Sequence, residues 1–342
     1  MFNSSSVYVA GVGITHLKEG SSHSALHDAV ISAGTKALLD AGLTYSEVKQ
    51  NVACFVGPDL RVRKSSFDTF GRTGTPTCEV DCYSGFYVAK QFVKSGHANC
   101  TMMVGFDKDS SGQGQAGGRV AAVAIILVSH NFRISHAYLR DSAVLVRGCR
   151  TAGAIHSRSS NADDETITAK FAIQAALQQA ALSPEDIQII ELRHGSDQGI
   201  QAALGELNVT EDGTASPVSH PFVGVTGLAG LCELVWQLRG WTQDRSVPGA
   251  KNCLQFTMDP DGDAYVTVLC RADGEPAPSW ETIKYLRDGR ERLAHNPAVE
   301  SKDVTVEDWQ AVKARDNFIP EQIPRRLRLP IKGGDRAALA RL

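Results

Sequence analysis

The sequence lacks several features that would place it in a specialised class of protein. Its eight cysteines include no pair at CxxC spacing. A zinc site or disulfide framework is therefore not expected, and most of these thiols are predicted to fill the core of a protein from a reducing environment. The longest apolar run, at positions 120–128, is too short to cross a bilayer and suits a buried strand. The N-terminus shows no basic segment followed by a long apolar stretch, so we expect no signal peptide.

An excess of charge of either sign is also missing. The formal net charge is −3 over 342 residues, without a basic cluster or an acidic block, so nucleic acid is not an expected partner. What is present is the balance of a globular protein, with 42% hydrophobic and 21% charged residues.

Strands and helices are predicted to alternate along most of the chain. Strands are expected at 7–14, 52–56, 100–106 and 121–129, with helices at 24–41 and 85–94 and a loop at 58–76. The order then restarts, with strands expected at 144–155, 187–192, 254–258 and 264–270 and helices at 167–181, 198–207 and 226–239. This order is typical of an α/β protein with mixed sheets.

The two halves of the chain resemble each other. The segment ALLDAGLT at 37–44 matches ALQQAALS at 176–183, and both join a helix to a buried strand. An internal duplication is the simplest interpretation, and two unrelated helices are the alternative. We therefore expect an N-terminal half at 1–130, a C-terminal half at 140–272 and an extended, partly helical tail at 273–342.

Several segments resemble thiolases of the sterol-carrier-protein-x type. They are VAGVGIT at 9–15, TGTP at 73–76, VGFDK at 104–108, GVTGLAGLCELVWQLRG at 224–240 and NPAVE at 296–300. The resemblance covers most of residues 7–300 in order. It implies the thiolase fold, in which two duplicated βα halves pack as a layered α-β-α-β-α core, usually in a dimer. Only 109–119 separates two predicted strands, so the family's lid excursion is largely missing.

The resemblance also implies a site and a chemistry. Family members cleave or form carbon–carbon bonds in 3-oxoacyl-CoA thioesters, with coenzyme A as substrate and no permanently bound cofactor. Cys82, just before a predicted helix, is the candidate nucleophile, because a helix N-terminus or a nearby histidine can activate a thiolate. The positions that match the family's acid–base and coenzyme A motifs are His194, Ser196, His220, Gly224 and Gly227. A core thiol is the alternative for Cys82.

Departures from the family pattern affect each active-site motif. The segment around Cys82 is shorter than the family's nucleophile loop, Arg193 is inserted before His194, and Ser196 replaces a cysteine. His220 is out of register with the glycine turn that follows it, and Phe256 stands where this subgroup has a histidine. The sequence thus allows two functions. One is a thiolase-like enzyme on a bulky acyl-CoA, with a retro-aldolase as a variant; the other is an impaired partner subunit or acyl-CoA binder.

Two short motifs complete the sequence analysis. Residues 112–117 spell GxGxxG, but an apolar strand follows instead of a helix, so dinucleotide binding is not expected. The chain ends Ala340-Arg341-Leu342, which resembles the C-terminal peroxisomal address. We therefore expect a peroxisomal protein, with a cytoplasmic one as the alternative, that forms a homodimer or a hetero-complex.

Overall fold

The structure is a computed structural model of the whole chain. It describes residues 5–16, 18–19, 23–57, 60–108, 119–154, 162–193, 197–207, 216–217, 226–282 and 303–314. The Gly-rich stretch, the C-terminal tripeptide and the NPAVE segment of the sequence analysis lie outside these ranges.

The first half alternates strands with two long helices. Its elements are β1 (Val7–Ile14), β2 (Lys18–Glu19), α1 (His23–Ala41), β3 (Gln50–Val56), β4 (Leu60–Arg61), β5 (Thr77–Asp81), α2 (Cys82–Lys94), β6 (Cys100–Lys108) and β7 (Arg119–Ser129). Short 3₁₀ helices lie at Tyr45–Glu47 and Lys64–Phe70.

The second half repeats the pattern after two short connecting helices. Its elements are α3 (His130–Ser135), α4 (Ala137–Ser142), β8 (Val144–Ala152), α5 (Ala162–Ala180), β9 (Ile189–Arg193), α6 (Asp197–Glu206), β10 (Ser216–Pro217), α7 (Leu228–Arg239), β11 (Asn252–Met258) and β12 (Ala264–Arg271). The described part of the tail contributes α8 (Val306–Val312).

The twelve described strands form one mixed sheet in two sections. The order is β10-β9-β11-β12-β8-β1-β7-β6-β3-β4, with β5 beside β3 and β2 beside β7. The sections meet where Tyr8 and Val9 of β1 pair with Leu145 and Val144 of β8. Strand β3 runs parallel to β5 and β6, and β9 runs parallel to β11. The first-half strands thus make one section, and the second-half strands make the other.

Three hydrophobic cores lie between the layers of helices and strands. One lies between α1 and the outer face of the first-half strands, and another between α5, α6 and the outer face of the second-half strands. The third joins α2 and α7 to the inner faces of both sections. This arrangement confirms the predicted layered α-β-α-β-α thiolase fold.

Equivalent contacts in the two halves support the duplication. A methyl group at Gly11 would lie 2.3 Å from the carbonyl oxygen of Ala37, and one at Gly148 would lie 2.5 Å from that of Ala176. Only glycine lets each helix pack this closely on its strand. Ala37 and Ala176 are the two residues that the sequence repeat aligns.

A polar side chain fastens each of these helices to its strand in the same way. The backbone N–H of Val12 donates to Asp40 at 2.8 Å, and that of Cys149 donates to Gln179 at 3.0 Å. Asp40 and Gln179 occupy the same position of the repeat. In the first half only, Asp40 also pairs with Arg239 at 2.8 Å, and both side chains are buried. This ion pair ties α1 to α7.

The secondary structure of several segments differs from the one that the sequence predicts. The expected loop at 58–76 contains β4 and the 3₁₀ helix Lys64–Phe70, because Phe67 and Phe70 bury their rings in the first-half core. Helix α2 begins at Cys82 instead of Gly85. Strand β5 and helices α3 and α4 were not predicted. None of the described helices is both long and apolar enough to span a membrane.

Candidate active site

Cys82 is the first residue of helix α2. Strand β5 runs directly into this helix. Its last residue, Asp81, is the N-cap and has extended backbone with φ −63° and ψ 155°. The Asp81 carboxylate accepts a hydrogen bond from the backbone N–H of Ser84 at 2.9 Å, and the Ser84 hydroxyl also donates to it. This N-cap explains why the helix begins three residues earlier than its apolar pattern predicts.

The Cys82 sulfur lies in a compact, dry setting. Its side chain is fully buried, and the backbone N–H of Phe106 donates to the sulfur at 3.5 Å. A methyl group at Gly105 would lie 2.9 Å from the sulfur, so the absence of a side chain there makes room for it. A helix N-terminus and a backbone N–H donor are the surroundings that nucleophilic cysteines commonly have.

Asp107 anchors the start of α7 beside this sulfur. It is buried, and it accepts hydrogen bonds from the backbone N–H groups of Thr226 and Ala229, both at 3.1 Å. Burial raises the pKa of Asp107. Gly227 takes the left-handed conformation, with φ 73°, at the N-cap of α7. These contacts hold Leu228 against Gly105, where a methyl group would lie 2.9 Å from the leucine side chain.

A cavity lies next to Cys82, between α2 and the second-half strands. It is a narrow cleft, partly open to solvent, with room for about one water molecule. The wall formed by α2 is aromatic and consists of Tyr83, Phe86 and Tyr87. Leu228 lines the cavity and also contacts Gly105. This side chain therefore stands between the buried sulfur and the cavity.

The opposite wall is a polar face of the sheet. Strand pairing aligns two rows of side chains on this face: Glu191, Gln255, Thr267 and Cys149 in one, and Arg193, Thr257, Tyr265 and Thr151 in the other. Phe256 lies on the other face of the sheet, fully buried in the outer core of the second half. Gln255 and Thr257, not Phe256, therefore face the cavity.

Glu191 is the buried charge at the end of one row. Its carboxylate pairs with Arg193 Nε at 2.5 Å and accepts from Gln255 Nε2 at 2.8 Å. The same Gln255 amide donates to the carbonyl of Gly227 at 2.5 Å. A methyl group at Gly230 would lie 2.3 Å from the Glu191 carboxyl. Glu191 and Gln255 thus fix the position of the α7 N-terminus, and no sequence motif indicated them.

The two ends of the cavity differ in chemistry. At one end Lys90, which is almost fully buried, donates to the carbonyl of Cys149 at 3.3 Å, and burial lowers its pKa. At the other end the rings of Tyr83 and Tyr265 stack with centroids 6.2 Å apart, and Tyr265 donates to Asp259 at 3.2 Å. Burial and the negative charge of Asp259 raise the pKa values of both phenols, so both stay protonated near neutral pH.

The predicted site residues fall into two groups. The structure describes Cys82 and Gly227. Thr226 and Leu228, on either side of Gly227, contact strand β6, which also contacts Cys82. His194, Ser196, His220 and Gly224 lie outside the described residues, so their roles stay predictions. The adjoining described residues do reach the cavity region, because Thr226 lines it and Arg193 pairs in register with Thr257. Within the described ranges, no group of three His, Cys, Asp or Glu side chains could hold a metal ion.

Comparisons with solved structures identify the fold. The chain is similar to a monomeric SCP2-thiolase-like protein of Mycobacterium smegmatis, with a TM-score of 0.61 and 11% identity over 85% of this chain and 83% of that one. It is similar to human mitochondrial 3-ketoacyl-CoA thiolase in complex with CoA, with a TM-score of 0.55 and 13% identity over 78% and 98% of the chains. The Ltp2-ChsH2(DUF35) aldolase gives a TM-score of 0.60 and 15% identity over 78% and 98%. The chain therefore has the thiolase fold.

Comparisons of the amino-acid sequence identify relatives of the chain. No protein-family profile matches the chain. Sterol carrier protein 2 of Rattus norvegicus is 25% identical over 81% of this chain and 74% of the relative, and that of Homo sapiens is 24% identical over the same shares. Together with the fold, this similarity to sterol carrier protein 2 supports the resemblance to thiolases found in the sequence.

Proposed function

We propose that the chain is a thiolase-like acyltransferase that cleaves or forms a carbon–carbon bond in 3-oxoacyl-CoA thioesters. The observation that carries the proposal is the position of Cys82, at the first residue of α2 with its sulfur accepting a backbone N–H. A thiolate is the nucleophile that acyl transfer of this kind needs. We also propose coenzyme A as substrate and no permanently bound cofactor; one solved structure with this fold is a 3-ketoacyl-CoA thiolase in complex with CoA.

In the cleavage direction, the Cys82 thiolate attacks the 3-oxo carbon of the substrate. The bond between carbons 2 and 3 then breaks, and the electron pair passes to carbon 2, which takes up a proton to give acetyl-CoA. A second coenzyme A thiol loses its proton and displaces the acyl group from Cys82, which regenerates the thiolate. His194 and His220 are the proposed proton carriers, Ser196 is a further candidate, and Gly224 and Gly227 are proposed to contact coenzyme A.

A bulky acyl group is proposed because the lid excursion is largely missing: only residues 109–118 join β6 to β7. The α2 wall of the cavity offers aromatic surface, and its sheet wall offers the hydroxyl and amide groups of Gln255, Thr257 and Thr267. A ring-bearing acyl chain with a few oxygen atoms would contact both kinds of wall, and it would have to widen the cleft to enter. A sterol side chain or a secondary-metabolite acyl group belongs to this class.

The test is cleavage of 3-oxoacyl-CoA substrates in the presence of coenzyme A. Wild-type protein should consume a ring-bearing 3-oxoacyl-CoA, and Cys82→Ala should abolish the reaction. Cys100→Ala is the matched control, because Cys100 is equally buried but lies in the other core of the first half. Full activity of Cys82→Ala would remove this thiol from the mechanism and favour a base-driven retro-aldol cleavage.

A second candidate function is an impaired partner subunit or acyl-CoA binder. It is favoured by the complete burial of Cys82 and by a cavity whose described lining contains no histidine. The similarity to an aldolase assembled from Ltp2 and ChsH2 supports a hetero-complex as an alternative to a homodimer. Coenzyme A binding by calorimetry without any turnover would support this second function.

The location in the cell is part of the same proposal. We propose a peroxisomal location because Ala340-Arg341-Leu342 resembles the peroxisomal address, which acts only at a free C-terminus. A fluorescent fusion that keeps the C-terminus free should be punctate, and removal of the three residues should disperse it. Dispersed fluorescence before their removal would contradict the peroxisomal proposal.

A further inference from the structure

The side chain of Leu228 lies between the Cys82 sulfur and the cavity. The Cys82 side chain is fully buried and does not line the cavity, whereas Leu228, the first residue of α7, does line it. A methyl group at Gly105 would lie 2.9 Å from the Cys82 sulfur and 2.9 Å from the Leu228 Cδ1 atom. The sulfur and this carbon therefore lie within twice that distance of each other. An acyl group that enters the cavity meets the leucine before it meets the sulfur.

Hydrogen bonds hold the backbone on both sides of Leu228. The carboxylate of Asp107 accepts from the backbone N–H groups of Thr226 and Ala229, both at 3.1 Å. The side-chain amide of Gln255 donates to the carbonyl of the residue before the leucine at 2.5 Å. All of these groups are buried, so breaking the bonds is costly. Rotation of the leucine side chain, which breaks none of them, is the easier way to clear the path to the sulfur.

We propose that Leu228 is a specificity-determining gate, whose side chain sets how readily an acyl group reaches Cys82 and how wide that group can be. The inference rests on the proposed function, because it concerns access to the same nucleophile. The leucine takes no part in making or breaking bonds. The path is closed while the side chain keeps its packed rotamer, and a residue without δ-carbons at this position should leave the path open.

Leu231 offers a matched control on the same helix. It lies one turn after Leu228, is buried in the same core and lines the same cavity. The leucine atom that lies near Gly105 belongs to Leu228 and not to Leu231. Truncation of either leucine to alanine removes the same atoms from the core, so the two variants should lose a similar amount of stability. Only the variant at position 228 should open the path to the sulfur.

The experiment measures how fast Cys82 reacts with two thiol reagents, methyl methanethiosulfonate and the wider benzyl methanethiosulfonate. Mass spectrometry of the digested full-length protein reports modification at each cysteine. Leu228→Ala should speed the reaction of Cys82 with the methyl reagent about tenfold, the factor by which an unfavourable rotamer is depopulated, and should speed the benzyl reaction more. Leu228→Val also lacks δ-carbons but removes less of the core, so it should react faster than the wild type. Leu231→Ala should react at the wild-type rate.

Two other cysteines show whether a variant has merely loosened the structure. Cys232 is fully buried one turn after Leu228 on α7, so its modification reports unravelling of this helix. Cys100 is fully buried in the outer core of the first half, so its modification reports opening of the whole fold. A gate predicts that Leu228→Ala speeds modification of Cys82 and leaves the rates at both of these cysteines unchanged.

The outcomes separate this inference from the proposed function. Equal rates for Cys82 in the wild type and in Leu228→Ala would show that the leucine is not a gate. Equal acceleration in Leu231→Ala, or at Cys232 of Leu228→Ala, would assign the effect to loosening and would also overturn the gate. A gain that is no larger for the benzyl reagent would refute the control of width. None of these rates requires turnover, whereas full activity of Cys82→Ala would defeat the proposed nucleophile even where the labelling shows a gate.

Discussion

Substitution of Gly105 by alanine probes the packing around the candidate nucleophile. The added methyl group would lie 2.9 Å from the sulfur of Cys82, 2.9 Å from the side chain of Leu228 and 3.0 Å from the β-carbon of Cys54. These neighbours belong to three different elements, α2, α7 and β3. Ordinary β-carbons essentially never come closer than 3.0 Å to another heavy atom, so at least one of the three must move.

The size of the effect follows from the cost of overpacking a core. Inserting one methyl group into a closed site costs about 1–3 kcal/mol, and we take about 2 kcal/mol for three displaced neighbours. With a urea slope of about 3 kcal/mol per molar, the unfolding midpoint should fall by about 0.7 M. A shift of the Cys82 sulfur by about an ångström should lower the rate of acyl transfer about 100-fold.

Urea unfolding and single-turnover acyl transfer measure the two effects on the same samples. Gly205→Ala is the control, because Gly205 is exposed in α6 and no atom lies within 4 Å of the added methyl group. That variant should gain about 0.5–1 kcal/mol from its helix position. If Gly105→Ala has wild-type stability and wild-type activity, this account of the packing around Gly105 is wrong.

Three further predictions concern residues that hold the site in place. Asp81→Ala should cost about 1 kcal/mol in urea unfolding because the N-cap of α2 loses its bond to Ser84, whereas Asp81→Asn should cost less. Arg239→Met should cost about 3–5 kcal/mol because it leaves Asp40 buried without its partner, and equal stability of the variant would contradict this. Burial lowers the pKa of Lys90 from 10.5, so the fold favours the neutral amine. The free energy of unfolding of the wild type, relative to that of Lys90→Met, should therefore rise with pH toward about 10.5. It should fall as the pH drops through the lower pKa that Lys90 has in the folded protein. A pH-independent difference in their unfolding midpoints would exclude this linkage.

The alternating strands and helices predict an α/β protein, and the resemblance to thiolases implies its layered arrangement. The match between the segments at 37–44 and 176–183 corresponds to the same helix contact, since Ala37 and Ala176 pack on Gly11 and Gly148. Other helices and strands lie in polar stretches whose composition does not predict them. Phe67 and Phe70 are buried in a segment whose composition predicts a loop. The division at 130, 140 and 272 stays a prediction.

The candidate site is only partly predictable from sequence. Cys82 is found because the resemblance to thiolases assigns the nucleophile to it, and a predicted helix follows it. Cys54 carries no such signal, since only the register between β3 and β5 places it beside the start of α2. Glu191 and Gln255 likewise meet only through the pairing of β9 with β11. Cross-strand neighbours of this kind depend on tertiary structure, which periodicity and motif spacing do not contain.

The most direct test of the whole account is to trap the acyl group on the protein. The full-length chain is mixed with a ring-bearing 3-oxoacyl-CoA in the absence of free coenzyme A, quenched in acid and digested for mass spectrometry. The account predicts a thioester on Cys82, its loss in Cys82→Ala and its persistence in Cys100→Ala. An acyl group found on another residue, or turnover of the substrate with no acyl group on Cys82, would contradict it.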